Sequence, residues 1–214
     1  MKPAIEARGL TQRFGRQPAL LGVHLEVAPG ERVAVLGDNG AGKTTLLRLL
    51  ATVMRPSAGE LRLFGLDAVR QRAALRPRLG WLAHEPGLYS ALTARENLEF
   101  FCTLHGLPAD RAGECLELLG LAEDAARAAG ELSRGRRQRL ALARTLLHDP
   151  ELWVLDEPDS SLDAEGRGLL GRLAGGRTLV FATHDRALAE ELGARVVELR
   201  AGRVVDRSAL KVVH

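Results

Sequence analysis

The sequence predicts an α/β domain with a mostly parallel central sheet, an antiparallel β edge near the N-terminus and an all-helical insert. Short apolar runs, such as residues 32–36 and 152–156, alternate with helical segments and indicate the central sheet. β-like runs joined by tight turns before residue 32 indicate the antiparallel edge. Residues 93–148 have a helical pattern without strands, which indicates the insert.

The positions of the individual helices and strands are predicted from hydrophobic periodicity and from capping and turn residues. Thr93 and Glu96 form a capping box that begins a helix ending at Gly106, and Ser133 caps a helix that runs to about His148. Gly202 lies in the turn of a closing hairpin over residues 195–206. The other predicted strands are 4–7, 21–27, 60–64, 79–83 and 178–183, and the other predicted helices are 44–53, 66–75 and 109–119.

The amino-acid composition limits the domain organisation and the kinds of ligand that the chain is expected to bind. With 214 residues, 46% of them hydrophobic, the chain can bury a core and reads as one domain over 1–214, with a helical subdomain at approximately 88–148. The net charge of +3 suits phosphate ligands, but 4% aromatic content and the lack of zinc-finger or RNA-binding signatures argue against direct nucleic-acid binding. Cys102 and Cys115 lack metal-ligand spacing and are expected to be buried, reduced thiols.

A phosphate-binding loop is predicted at residues 37–45, which match G-x-x-x-x-G-K-[ST] between a predicted strand and a predicted helix. The glycines allow turns that direct successive N–H groups at a phosphate chain. Lys43 would contact the β- and γ-phosphates, and the Thr44 hydroxyl would hold Mg²⁺. This fold class is that of P-loop NTPases, and the candidate nucleotide-binding residues are Gly37, Asp38, Asn39, Gly40, Ala41, Gly42, Lys43, Thr44 and Thr45.

Polar residues follow three predicted strands at the edge where open α/β sheets bind ligands. Asp156 ends the buried run 152–156 and is expected to bind Mg²⁺ directly or through water. Glu157 is the candidate that orients or deprotonates an attacking water. His84 or Glu85, and His184, are expected to face the nucleotide from the ends of two other predicted strands at the same edge.

Two features are open to alternative interpretations. Phe14 lies in a turn before the phosphate loop, where it either stacks on a nucleobase or packs the loop onto the core. The basic run at residues 134–139 either has a functional role or forms a solvated helix face.

Residues 37–44, 132–138, Asp156–Glu157 and His184, in this order and with a helical insert before the second motif, resemble the ATP-binding cassette (ABC) ATPases. The resemblance covers nearly the whole chain, and its most specific part is the run 133–138 continuing into 140–144. It implies hydrolysis of ATP with Mg²⁺ by an ATP-dependent, head-to-tail homodimer. Each ATP would be sandwiched between one copy's phosphate loop and Ser133 and Gly135 of the other copy.

The resemblance also implies roles for single residues and for a partner. Phe14 would stack on adenine, Glu157 would be the catalytic base, His184 would sense the γ-phosphate, and residues 160–163 would contact the second copy. Since no apolar run approaches bilayer length and no leader is recognisable, we expect a location at the cytoplasmic face of the cell membrane, through an integral-membrane subunit docked near residues 84–89 and the insert.

The chain departs from the ABC pattern at two places. His84 stands where most cassettes have a glutamine, and because imidazole is a poor Mg²⁺ ligand its role would shift to placing water. Arg134 and Arg136 replace a small residue and a glutamine. They either attract the opposing γ-phosphate or repel one another when ATP is absent.

The branch of the family is left open by the sequence. His84, Pro86–Gly87 and residues 92–98 look like the ATPase subunit of the haem exporter of cytochrome c maturation, and the short length agrees. Residues 61–67 look equally like ATPases of multidrug or polysaccharide exporters. A non-transport cassette acting on ribosomes or DNA usually has two cassettes or a coiled-coil insert, and a GTPase switch would need an Asn-Lys-x-Asp motif; none of these is found.

Overall fold

The computed structural model describes residues 2–162 and 164–205. Its strands are β1 (Ile5–Phe14), β2 (Gln17–Val27), β3 (Arg32–Leu36), β4 (Ala58–Leu63), β5 (Leu66–Asp67), β6 (Leu79–Leu82), β7 (Leu152–Asp156), β8 (Thr178–Ala182), β9 (Arg195–Arg200) and β10 (Arg203–Val205). Its α-helices are α1 (Lys43–Leu50), α2 (Arg72–Leu75), α3 (Ala94–His105), α4 (Asp110–Leu118), α5 (Arg134–Leu146), α6 (Ala164–Leu173) and α7 (Arg186–Glu191).

A mixed sheet in the order β10-β9-β3-β8-β7-β6 forms the centre of the fold, and all its pairings except β10–β9 are parallel. All residues of β7 and β8 are buried, as expected for strands that are covered on both faces. The predicted α/β class is therefore confirmed. Because the strands are parallel, the segments after β3, β6, β7 and β8 leave the sheet at the same edge.

The antiparallel sheet has the order β2-β1-β4-β5 and carries the longest strands. β1 and β2 extend well beyond the predicted 4–7 and 21–27, because their cross-strand pairing continues to Phe14 and Gln17 through register shifts. The prediction of one helix over 66–75 is wrong. Asp67 Oδ1 accepts hydrogen bonds from the Val69 and Arg70 N–H groups, so a turn separates β5 from the four-residue α2.

The end of one further helix also differs from the prediction. The helix predicted over 44–53 ends at Leu50, and Thr52 has a left-handed φ of 56°. The insert matches more closely: Thr93 and Glu96 form the predicted capping box of α3, and Gly106 ends that helix in the left-handed conformation. Ser133 is the N-cap of α5.

The helical insert has its own part of the core. Leu98, Cys102, Cys115 and Leu140 are buried between α3, α4 and α5, and both cysteines are free thiols, as predicted. Among the described residues, no helix has both the length and the apolar character needed to span a bilayer.

Candidate functional site

The predicted phosphate-binding loop connects β3 to α1, as expected, and borders a shallow pocket of about 260 Å³, which we call the phosphate pocket. Gly42 has a φ of 105°, and a Cβ there would lie 2.5 Å from the carbonyl oxygen of Ala19, so the position requires glycine. Ala19 of β2 also lines the pocket. It was not among the predicted site residues, because an alanine in a β-strand carries no chemical signal.

Lys43 is buried, and its ammonium group is satisfied by its own chain. Nζ donates to the carbonyl oxygens of Gly37 at 2.7 Å and Asp38 at 3.2 Å, and lies 3.3 Å from Nε2 of His184. Burial lowers the pKa of Lys43, while the carboxylates of Glu157, Asp156 and Asp38 act in the opposite direction. The lysine is thus a cation held in the loop, directed at the site where phosphate would bind.

Asp156 is the last residue of β7 and is 2% exposed. Burial raises the pKa of its carboxyl group, and a hydrogen bond with the Thr44 side chain lowers it. Its Oδ2 atom is buried without a hydrogen-bond partner among the described residues, and such an atom is costly unless a ligand satisfies it. A hard divalent cation with oxygen ligands fits this donor set, and Mg²⁺ commonly takes one or two protein ligands beside phosphate oxygens and water.

Glu157 is held between two histidines. Its Oε1 lies 3.1 Å from Nε2 of His184, and its Oε2 lies 3.4 Å from Nδ1 of His84. The backbone of Glu157 is left-handed with a φ of 51°, and its N–H donates to Ala182 of β8 at 3.0 Å. A non-glycine residue in this conformation is strained, and such strain concentrates at functional sites.

His184 Nε2 faces two competing partners. In a neutral ring, Nε2 either accepts a hydrogen bond from Lys43 or donates one to Glu157, but cannot do both. The arrangement therefore has two states that differ in which neighbour the histidine bonds. A phosphate that draws Lys43 away would leave His184 free to bond Glu157.

Buried hydrogen bonds hold the segments that carry these residues. The Thr183 hydroxyl donates to Asp159 at 3.1 Å and 3.2 Å and accepts from the Asp185 N–H at 3.0 Å. Gln138 Nε2 donates to the carbonyl oxygen of Pro158 at 3.2 Å, which ties α5 to the segment after Glu157. Asp159 and Thr183 were missed in the sequence, because the pattern of strands places their ends at a common edge but does not show which of the ends are adjacent.

Other predicted residues lie outside the phosphate pocket. Ser133 and Gly135 border a separate cleft of about 210 Å³. Phe14 is 52% exposed at the end of β1 and does not line the phosphate pocket. Asp163, in the segment expected to contact a second copy, lies outside the described residues. Ser133 and Gly135 are therefore not at the phosphate pocket of their own copy.

The two unusual arginines have different surroundings. Arg136 forms an ion pair with Asp124, which is buried and also pairs with Arg127 at 3.1 Å. The charge of Arg136 is therefore compensated within the insert. Arg134 is exposed and lines a cleft of about 550 Å³ together with His84.

Comparisons with known proteins agree on one family. A family model described as ABC transporter matches residues 20–160. The daunorubicin resistance ATP-binding protein DrrA3 of Streptomyces coeruleorubidus is 41% identical over 94% of this chain and 67% of its own length. The cytochrome c biogenesis ATP-binding export protein CcmA of Xanthomonas campestris pv. campestris is also 41% identical, over 93% of this chain and 95% of its own length.

A solved structure extends the comparison to the fold. The ATP-binding cassette MJ0796, determined as a dimer in a post-hydrolysis state bound to ADP and Pi, is 28% identical. It superposes with a TM-score of 0.86 over 94% of this chain and 97% of that chain. The segments that carry Lys43, Glu157 and His184 thus belong to a fold that, in MJ0796, has been seen with ADP and Pi bound.

Proposed function

The chain belongs to the ABC transporter family and is an ATPase of that family, and from this premise we propose that two copies close on ATP to drive a separate integral-membrane subunit. The expected ATP-binding residues of one copy lie at two separate places, and this separation supports the proposal. Lys43, Thr44 and Glu157 line the phosphate pocket and Asp156 is hydrogen-bonded to Thr44, while Ser133 and Gly135 lie at another cleft. A second copy in head-to-tail orientation would supply the missing side.

The residues have distinct roles in the proposed reaction. Thr44 and Asp156 would hold Mg²⁺, which when bound neutralises charge on the phosphate oxygens. Lys43 leaves its loop carbonyls to contact the transferred phosphoryl group. Glu157 takes a proton from the attacking water, and His84 and His184 fix the orientation of its carboxylate. Phe14 would stack on adenine after the nucleotide enters.

The negative charge of the γ-phosphate would hold the two copies of the dimer together. The γ-phosphate of ATP would contact the N-terminus of α1 and Lys43 in one copy and the N-terminus of α5 at Ser133 in the other. Hydrolysis and release of that phosphate remove the bridging charge, so the copies separate. ATP turnover is thereby converted to motion.

The membrane subunit would dock beside the segment 84–89 and the insert, at the cytoplasmic face of the membrane. Tyr89, Phe100 and Leu104 are exposed there at 50%, 38% and 65%, and Tyr89 contacts Phe100 edge-on with ring centroids 5.0 Å apart. Exposed aromatic side chains that cluster in this way are typical of protein interfaces. Co-expression with candidate membrane subunits tests this assignment: a stable complex with stimulated ATPase activity is expected, and neither complex nor stimulation would reject it.

For the cargo, we propose haem export in cytochrome c maturation. Support comes from His84, Pro86 and Gly87 and from the similarity to CcmA. The equal identity to DrrA3 makes drug export the competing assignment. Deletion of the gene separates the two: loss of covalent haem attachment to c-type cytochromes is expected, whereas intact cytochromes together with increased drug sensitivity would favour the competitor.

A further inference from the structure

A side-chain hydrogen bond between Thr183 and Asp159 joins the segments that follow β8 and β7. The Thr183 hydroxyl has one proton to donate, and it lies between the two carboxylate oxygens of Asp159, at 3.1 Å and 3.2 Å. The same hydroxyl accepts a hydrogen bond from the Asp185 N–H at 3.0 Å. Because Thr183 is fully buried, its hydroxyl depends on these partners and not on water.

The backbone of Thr183 is fixed by the strand that leads into the phosphate-binding loop. Its N–H donates to the carbonyl oxygen of Val35 in β3 at 3.3 Å. The next residue in the chain is His184, whose Nε2 lies 3.3 Å from Nζ of Lys43 and 3.1 Å from Oε1 of Glu157. The hydrogen bond to Asp159 is therefore made one residue away from the histidine that contacts the proposed base.

Asp159 is equally close in the chain to Glu157, which it follows by two residues. The Glu157 backbone is left-handed, with a φ of 51°, and its N–H donates to Ala182 of β8 at 3.0 Å. A strained conformation of this kind persists only where the surrounding contacts hold it. The contact of Asp159 with Thr183 and the backbone hydrogen bond to Ala182 join the same two segments, so both determine where Glu157 lies relative to His184.

The Asp159 carboxylate also has a cation nearby. A hydrogen bond with Asp185 raises the pKa of Arg167 on α6, and the negative charge of Asp159 acts in the same direction. Arg167 donates its hydrogen bond to Asp185 at 2.7 Å. Asp159 therefore interacts with its neighbours in two ways, by accepting from Thr183 and through its charge, and substitutions can separate the two.

We propose that Asp159 is a positioning residue for ATP hydrolysis, which acts through Thr183 to hold His184 beside the carboxylate of Glu157. The inference rests on the catalytic role proposed for Glu157. Asp159 does not line the phosphate pocket, so it acts through its neighbours and not on the nucleotide. Without the hydrogen bond the His184 segment can shift relative to Glu157, and a misplacement of about 1 Å can lower turnover by about 10²-fold.

Substitutions at both ends of the hydrogen bond test the inference through steady-state ATP turnover. Asp159→Ala and Thr183→Val should each lower kcat about tenfold or more, with the KM for ATP changed less than about twofold. Asp159→Asn should restore most of the turnover, because its amide oxygen still accepts from Thr183 although the charge is lost. Thr183→Ser keeps the hydroxyl and should also be active.

Thr178→Val is the matched control. Thr178 is a buried threonine at the opposite end of β8, and its hydroxyl accepts from the Gly30 N–H at 2.9 Å. This variant should have a normal kcat. Folding of every variant is checked by urea titration, and if Asp159→Ala does not fold, Thr183→Val makes the same test from the other end of the hydrogen bond.

A second measurement separates positioning from a purely structural effect. In the Glu157→Gln protein, adding Asp159→Ala should not lower the residual phosphate release further, because the base that His184 aligns is already absent. Independent structural effects would instead multiply. The single and double variants should form the same dimer with ATP in sedimentation velocity, because the proposed role lies within one copy.

Four outcomes would overturn the inference: Asp159→Ala has a normal kcat, Asp159→Asn is as slow as Asp159→Ala, the effects of Glu157→Gln and Asp159→Ala multiply, or only the double variant fails to dimerise. Failure of the proposed function is read from Glu157→Gln alone. Normal turnover of that protein would reject the base and with it the positioning role. A monomer with ATP would reject the dimer, and the kcat values of the Asp159 variants would still decide the positioning role.

Discussion

Replacing Glu157 with glutamine removes the proposed base while conserving the shape of the side chain. General-base catalysis contributes about 10²–10⁴-fold, so kcat should fall by about this factor. The fold should be little affected, because the Glu157 side chain is 26% exposed and its partners His84 and His184 are 60% and 48% exposed. Ion contacts with such exposure contribute about 1 kcal/mol or less.

The same substitution should trap a dimer. Glu157→Gln leaves Lys43, Thr44 and Asp156 unchanged, so ATP still binds, but the step that removes the bridging γ-phosphate fails. We expect a stable dimer with ATP and Mg²⁺ and a monomer with ADP, measured by sedimentation velocity together with phosphate release.

Glu151→Gln is the matched control, because Glu151 lies at the opposite end of β7 and its carboxylate also pairs with side-chain nitrogen atoms, here those of Arg78. Its carboxylate accepts from Nε and NH2 of Arg78 at 2.6 Å and 2.8 Å. This variant should hydrolyse ATP at the normal rate, with a stability loss of about 1 kcal/mol or less. A Glu157→Gln protein that keeps more than about one tenth of normal turnover, or stays monomeric with ATP, would refute the reasoning.

Three further predictions concern other residues. His84→Gln should remain active, since an amide can still bond Glu157, whereas His84→Ala should lower kcat; equal kcat values for all three proteins would remove His84 from the mechanism. Asp124→Asn should reduce the free energy of unfolding by about 1–3 kcal/mol in urea titrations, because Arg136 and Arg127 lose their buried carboxylate; an unchanged urea midpoint would contradict this. Burial lowers the pKa of His148 in the folded state below its unfolded value of 6.5, so its contribution to stability is present above that pH and is lost as pH falls through the folded-state pKa. Urea titrations at pH 7.5 and 5.5 should therefore show a pH-dependent loss of stability that is smaller in His148→Gln, and identical pH dependence in both proteins would reject this role.

Features that depend on residues close together in the chain could be predicted from the sequence. The strand–loop–helix around Lys43, the capping box at Thr93 and the buried strand before Asp156 all depend on residues close together in the chain, and the structure has each of them. The full lengths of β1 and β2 were missed, because pairing between two strands depends on both partners. The short α2 was missed because the Asp67 side chain competes for backbone N–H groups.

The sequence could not predict that both histidines contact Glu157, because this contact depends on the order of the strands in the sheet. Parallel strands indicate that polar residues reach a common edge, but they do not determine the order of the strands. In the structure β7 lies between β6 and β8, so Glu157 emerges between the strand ends that carry His84 and His184.

Under the proposed dimer mechanism, the contacts of the site predict that a single copy is a poor ATPase. Lys43 donates hydrogen bonds to Gly37 and Asp38, and Glu157 lies beside both histidines, so each catalytic group already has partners before ATP arrives. ATP must replace the hydrogen bonds of Lys43, and exchange of one hydrogen bond for another contributes little net free energy. A large gain therefore requires contacts that the single chain lacks, and the N-terminus of α5 in a second copy can supply them. Because the catalytic groups of one copy already have partners, we expect slow hydrolysis by the monomer. Closure of the dimer is then the step at which a membrane partner can exert control.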